Sequence, residues 1–292
     1  MRLTQSRLGG LLATPAALYM AAFFLVPALF LLVYSFWQAS SFRITPAFQF
    51  DNYARALVSP LFIRVTLNAI TIGLITATIT TVLAIAVGYY LTYVTRSRLI
   101  LYLVLMTWFS SYLVRIYAWR SLLGTKGLLN TILIATGIVD EPIGALLFSP
   151  IAVTITLVHI YLPFAILLLV AALSEIKREY IEASRDLGTS ELGAFFRVVA
   201  PNAAGGIIAA FVLTFILVAG DYVTPQLLGG ATGQTTGLLI ADQFRKTGNW
   251  PLGAAQAFLM FLVSVLVYFV LVGIARLTGF LPARRMRRRA GP

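Results

Sequence analysis

The chain has 292 residues, 60% of them hydrophobic and only 11% charged, against roughly 25% charged in an ordinary soluble protein. So few charges cannot clothe a water-facing surface, and the mean hydropathy of +0.91 makes lipid the solvent. The net charge of +12 does not point to nucleic acid, because the cations punctuate long apolar runs instead of clustering on one face. With no cysteine and one histidine, His159, disulfides, thiol catalysis and cysteine-held metals are excluded. No metal or cofactor site is expected on this chain.

A bilayer core about 30 Å thick takes roughly 20 apolar residues of helix. Charge-free runs fall at Leu8–Phe42, Val65–Thr95, Leu99–Val114, Pro142–Ser174, Val198–Gly220 and Thr247–Ala275. The third is short, and its helix is expected to continue past Arg115 to Trp119. Pro15 and Pro27 can each kink the first, which far exceeds a signal-peptide core. The stretch Tyr222–Ala241 holds Pro225 and four glycines. Its backbone groups would go unsatisfied in lipid, so it reads as a loop or a segment buried in protein. The expectation is an all-α membrane protein with six transmembrane helices and a single domain over 1–292. Placing both ends on one side gives that side 14 of the 22 Lys and Arg residues, so both termini are expected in the cytoplasm. The basic tail, about 276–292, supplies Arg284, Arg285, Arg287, Arg288 and Arg289. It reads as a topology determinant, with binding to anionic membrane lipid as the alternative.

Between the fourth and fifth runs, about 175–206, lies a cytoplasmic loop with its own pattern. Ile176, Tyr180, Ile181, Ala183 and Leu187 follow helical spacing, and Arg178 and Glu182 stand four apart, where a weak pair forms. Gly188 suits the left-handed residue that ends a helix. Thr189 or Ser190 then caps a second short helix with Glu191 in its first turn. That helix presents Leu192, Phe195, Phe196 and Val199 before Pro201 stops it. The expected product is a helix–glycine–helix elbow with exposed apolar knobs.

This elbow resembles the EAA loop of binding-protein-dependent ABC importer permeases. The family pattern of Glu-Ala-Ala, three residues, Gly, nine residues and Ile-x-Leu-Pro is met by Glu182-Ala183-Ser184, Gly188 and Val198-x-Ala200-Pro201. Ser184, Val198 and Ala200 depart from it, while the spacing and the placement after the fourth helix are kept. The resemblance implies a type I importer permease architecture. Glu182, Ala183 and Gly188 would form the elbow, and Thr189, Ser190, Glu191, Leu192, Phe195 and Phe196 would dock on a separate ATPase subunit. The alternative is an amphipathic loop lying on lipid headgroups. The segments Trp108–Trp119 and Gly220–Gly230, with Phe24-Leu-Val-Pro27 and Tyr34-Ser-Phe36, are similar to the first permease chain of spermidine/putrescine transporters. Permeases for iron, thiamine, phosphonates and opines share related forms. The implied partners are an ATPase dimer, a second permease chain that is a different polypeptide, and a solute-binding protein. ATP and Mg would be held by the ATPase. This chain lacks Gly-x-x-x-x-Gly-Lys-Ser/Thr, so no enzymatic or catalytic role is expected on it.

A few residues stand out on the substrate side. Asp221 follows an apolar run at its outward end. It can meet an organic cation, with Tyr222 adding cation–π attraction, or it can cap a helix end or pair there with Arg115, which is the plainer and preferred reading. No carboxylate is expected at midplane depth. His159 lies near the middle of the fourth helix, four residues before Pro163. It either contacts substrate or, preferably, bonds a neighbouring helix or the carbonyl freed by the proline. Trp108, Tyr112, Tyr117 and Trp119 read as interface anchors first and a substrate lining second. The reading is an inner-membrane permease subunit that moves a small solute, most simply a polyamine, by alternating access. A stand-alone secondary transporter and a non-transporting membrane scaffold are the rivals.

Overall fold

A computed structural model describes residues 5–40 and 43–278 of the chain. Arg2, the tail arginines from Arg284 on, and the end of the first apolar run at Phe42 lie outside the described residues.

The first membrane helix is α1 (Gln5–Met20), a π-helical turn at Ala21–Leu25, and α2 (Val26–Tyr34). The turn explains how Pro27 is accommodated. Proline lacks an N–H and crowds the carbonyl four residues back, and the wider i→i−5 bond from Val26 N–H to Ala21 O loosens the helix just ahead of it. A short hairpin follows, β1 (Gln38–Ser40) and β2 (Arg43–Thr45), with Ala39 opposite Ile44. Helix α3 (Asp51–Val58) locks onto the end of α2. Asn52 Nδ2 donates to Ser35 O and Trp37 O at 2.9 and 2.8 Å, and Ser35 Oγ lies 2.7 Å from Tyr53 Oη. Phe36 stacks on Phe48 with ring centroids 5.0 Å apart. These residues, up to Ile63, form one compact unit with Leu239–Phe261.

The second unit, Arg64–Leu238 with the chain from Leu262 on, holds the functional residues. The chain here builds α4 (Pro60–Tyr89) with a π turn at Tyr90–Val94, α5 (Leu99–Phe109), α6 (Tyr112–Leu123), α7 (Leu128–Ala135) and α8 (Pro150–Ser174). It continues through α9 (Arg178–Asp186), α10 (Glu191–Ala194) and α11 (Ala200–Ala219), and then α12 (Thr236–Asp242) and α13 (Trp250–Leu277), each divided between the two units. Among the described residues, five helices are long and apolar enough to cross a membrane: Ala13–Tyr34, Pro60–Val94, Pro150–Ser174, Glu191–Ala219 and Trp250–Leu277. A sixth crossing requires the pair Leu99–Phe109 and Tyr112–Ala135, whose halves meet at 94°.

That bend corrects the expectation of one helix continuing to Trp119. Ser110 and Ser111 both adopt extended ψ values, 147° and 132°, and Ser110 Oγ donates to Thr107 O at 2.8 Å. The serine hydroxyl competes for the backbone acceptor that a continuing helix would need. A second correction concerns Pro201, which does not stop its helix. A π turn at Phe195–Val199 precedes it, with Ala200 N–H bonded to Phe195 O. One membrane helix therefore runs from Glu191 to Ala219, with the same turn-then-proline arrangement as at Pro27.

Helices α8 and α11 pack closely. A Cβ on Gly206 would collide with Ala172, so a small residue lets the two backbones approach. The core over the first half of α8 gathers Ile116, Leu123, Val153, Leu157, Ile160, Val218 and Leu228. The Pro- and Gly-rich stretch after α11 contains a π turn at Pro225–Gly229. It is protein-covered, with Thr224, Leu228, Thr235 and Thr236 all at or below 2% exposure, as irregular backbone at membrane depth requires.

Candidate functional site

Two sites sit at opposite ends of α11. At its start is the elbow. Helix α9 closes with Gly188 at φ +86°, the Gly188 N–H bonds Arg185 O, and the Thr189 N–H bonds Ser184 O. These are the two bonds of a Schellman cap. Nothing lies within 4 Å of a Cβ built on Gly188, so glycine is required by its backbone angle and not by space. The Thr189 hydroxyl bonds Ser184 O and lies 2.9 Å from Ser184 Oγ. Ser190 caps the next helix by accepting from Gly193 N–H at 3.1 Å, and Arg185 reaches over the turn to Glu191 at 3.2 Å. Glu182 pairs with Arg178 at 3.0 Å on the exposed face of α9, and Ala183 beside it is exposed.

The elbow rests on a small core of Leu173, Ile176, Ile181, Ala194 and Val199. This divides the expected docking residues. Leu192 and Phe196 are exposed at 69% and 63%, with Leu187 at 88%. Phe195 instead turns inward onto Tyr89, ring centroids 5.8 Å apart, and Val199 is fully buried. Sequence spacing placed these two among the exposed knobs. The π turn at Phe195–Val199 rotates them to the inner side. Tyr93, unmarked in the sequence reading, donates from its hydroxyl to Leu173 O at 2.7 Å and braces the end of α8 against α4.

At the far end of α11, Asp221 is buried and four donors converge on its carboxyl group. Tyr112 Oη lies 2.8 and 2.7 Å from the two oxygens, Thr224 Oγ1 donates to Oδ2 at 2.7 Å, and the Val223 and Thr224 N–H groups donate to Oδ1 at 2.9 and 3.4 Å. Thr235 Oγ1 adds a bond to the Asp221 carbonyl at 3.2 Å. The expected partner Arg115 is elsewhere. Its Nη1 donates to Ile160 O at 3.1 Å, and among the described residues it makes no ion pair. Ile160 lies near the midpoint of the 25-residue α8. Arg115 therefore reaches the backbone of α8 and not Asp221, which corrects the expected pairing.

His159 Nδ1 accepts from Trp119 Nε1 at 3.0 Å, tying α8 to α6. Trp108 stacks on Phe164 at 5.6 Å. Tyr222 is 40% exposed, and Tyr117 is exposed while Tyr112 and Trp119 pack against the core.

A bent span, a buried re-entrant segment and a Schellman-capped elbow between two membrane helices together define the membrane-spanning part of a transport system. The chain belongs to the family described as binding-protein-dependent transport system inner membrane component, whose model matches residues 3–277. It is a multi-pass permease subunit of an ABC importer. It is 35% identical over 256 residues to the spermidine/putrescine transport system permease protein PotB of Haemophilus influenzae, covering 85% of this chain and 87% of that one. To PotB of Escherichia coli it is 34% identical over 232 residues, covering 79% and 84%. In fold it is similar to a bacterial alginate ABC transporter solved in complex with an alginate pentasaccharide-bound periplasmic protein, with a TM-score of 0.73, 15% identity, and 93% and 95% of the two chains covered.

Proposed function

We propose that this chain is one of two permease subunits of a polyamine importer, loaded by a solute-binding protein and driven by a separate ATPase pair. The substrate class rests on one observation, the identity to permeases of spermidine/putrescine systems over most of both chains. The elbow supports the energy coupling. Its outward side chains Leu187, Leu192 and Phe196 offer an apolar surface to an ATPase cleft, and Glu182, Ala183, Gly188, Thr189, Ser190 and Glu191 hold them in place. Because Glu191–Ala219 is one helix, a push on the elbow travels along about 1.5 Å per residue of continuous helix to Asp221. Six crossings, counting the bent pair as one, support a topology with both termini in the cytoplasm, the side favoured by the positive-inside rule.

At the far end, Asp221 supplies the negative charge that an ammonium group seeks, and Tyr222 adds a ring face. Tyr112 holds Asp221 in the resting state and yields it as the segment moves. His159 and Trp108 support this path through Trp119 and Phe164. The test is purification of the tagged chain in mild detergent, followed by reconstitution with whatever ATPase and second permease accompany it. ATP-dependent uptake of labelled spermidine, stimulated by a spermidine-loaded binding protein, is expected. Uptake of iron, thiamine, a phosphonate or an opine instead would replace the substrate class. Recovery of no ATPase from well-folded protein would overturn the reading.

A further inference from the structure

At the opposite end of α8 from the elbow lies a cavity of about 680 Å³ that the transport reading leaves unused. Its lining includes Tyr117, Arg120 and Ser121 from α6, Lys126 from the α6–α7 turn, and Phe148 just ahead of α8. Two cations line it and no carboxylate does. Among the described residues neither Arg120 nor Lys126 makes an ion pair. Arg120 instead sits over the Phe148 ring, 5.9 Å from its centroid. The N-terminus of α7 at Gly127 also borders the cavity and has no side-chain cap, adding the positive end of a helix dipole.

Such a pocket repels a polyamine. Its ligand is an anion with hydrogen-bond acceptors, a carboxylate or a phosphate. Its wall is built into the segment that carries Asp221. Phe148 holds a left-handed backbone, φ +58°, unusual for a bulky residue. The next residue bonds into the re-entrant π turn, Ser149 N–H to Leu228 O at 3.0 Å. Gly230, at φ +57°, passes so close that a Cβ there would lie 2.6 Å from Phe148 O. The pocket wall is thus bonded to Leu228, one turn along from Thr224 of the Asp221 cluster. A ligand placed to signal to that segment is one that comes and goes with each transport cycle, unlike a resident lipid.

We infer that this pocket is the seat for an acidic side chain, Asp or Glu, of the docking solute-binding protein, and that Arg120 and Lys126 hold its carboxylate. The inference rests on the transport reading above. The test uses the reconstituted complex in phosphatidylcholine nanodiscs and measures ATPase stimulation against the concentration of spermidine-loaded binding protein. Arg120→Glu with Lys126→Glu is expected to raise the half-maximal concentration at least about tenfold while the saturated rate is kept, since reversing interfacial charges acts on encounter and dissociation. The Arg120→Gln with Lys126→Gln pair falls between, and keeps the test alive should the Glu pair not fold. Arg120→Lys with Lys126→Arg matches wild type. Raising the salt narrows the differences, and an acidic-to-Lys change on the binding protein restores the Glu pair. Equal half-maximal concentrations for wild type and both charge-altered pairs overturn the inference. So does a shift that appears only in nanodiscs containing phosphatidylglycerol, which marks a lipid headgroup site. If the wild-type complex is not stimulated by the binding protein at all, the transport reading itself falls, and this inference with it.

Discussion

Tyr112 and Asp221 stand 109 residues apart in the chain, yet the tyrosine hydroxyl lies 2.7 Å from the carboxyl group. The bond ties the bent half of the third span to the re-entrant segment beyond α11. An ionisable side chain there is costly unless its neighbours satisfy it, and here hydroxyl and backbone donors do so together.

Unequal roles for the two partners follow. Tyr112→Phe removes one of four donors and leaves no buried polar atom behind on its own side. Its cost should be near the ~0.6 kcal/mol average of hydrogen bonds inside membrane proteins. Asp221→Leu strands two N–H groups and one hydroxyl hydrogen of the Tyr112–Thr224 pair, whose oxygens lie 3.0 Å apart and can bond each other, each stranded donor worth about 1–3 kcal/mol when buried without a partner. Thermal unfolding in detergent should rank wild type above Tyr112→Phe, and both well above Asp221→Leu. In transport, Tyr112→Phe should still move substrate, because the charge is kept.

At the elbow, the reason for Gly188 is angular. A Cβ there meets nothing, but φ is +86°, and an L side chain in the left-handed region costs roughly 1–2 kcal/mol. Gly188→Ala should loosen the Schellman cap and weaken retention of the ATPase several-fold. Gly188→Asn should lose much less, because Asn tolerates that region. Quantifying the ATPase that co-purifies with each variant checks the order. An Asn variant as poor as the Ala variant would place the requirement in contact with the ATPase instead of in the backbone.

How far the sequence could be read depended on whether the feature was periodic or positional. The elbow was legible because Gly188, Ser190 and their spacing act locally, and Gly188 carries the positive φ and Ser190 the cap. The membrane character was legible from composition. The break at Ser110–Ser111 was missed because two serines in an apolar run look like any polar pair until their ψ values are known. Pro201 was misread as a stop because the π turn that accommodates it leaves no mark in the sequence. The partner of Asp221 depends on packing between α6 and the segment beyond α11, which uniformly apolar helices do not encode in their pattern.

The inward turn of Phe195 and the outward turn of Phe196 separate folding from docking. Phe195 packs on Tyr89, so Phe195→Ala should destabilise the permease by a large part of the ~3–5 kcal/mol typical of a core Phe→Ala change. Phe196 is 63% exposed, and Phe196→Ala should leave the melting temperature within a degree or two. Its loss should instead fall on the ATPase bound per permease, by roughly the tenfold or more that truncating an aromatic anchor removes. Melting curves and co-purification, read on the same two variants, should therefore respond in opposite order.

Neighbouring glycines in α11 offer a matched pair for testing whether the helix acts as a lever. A Cβ on Gly206 would collide with Ala172 of α8, whereas one on Gly205 meets nothing within 4 Å. Gly205→Ala should be neutral or stabilise by up to about 1 kcal/mol through lost freedom in the unfolded chain. Gly206→Ala must push α8 and α11 apart, at the roughly 1–3 kcal/mol of an overpacked contact. If the elbow moves Asp221 through α11, the second change should do more than lower stability. It shifts the helix between the two sites, so ATP hydrolysis by the assembled complex should continue while substrate moved per ATP falls. Uptake and phosphate release measured on the same proteoliposomes give that ratio. An unchanged ratio in Gly206→Ala, with only reduced stability, would mean that α8–α11 packing holds the fold without transmitting the stroke.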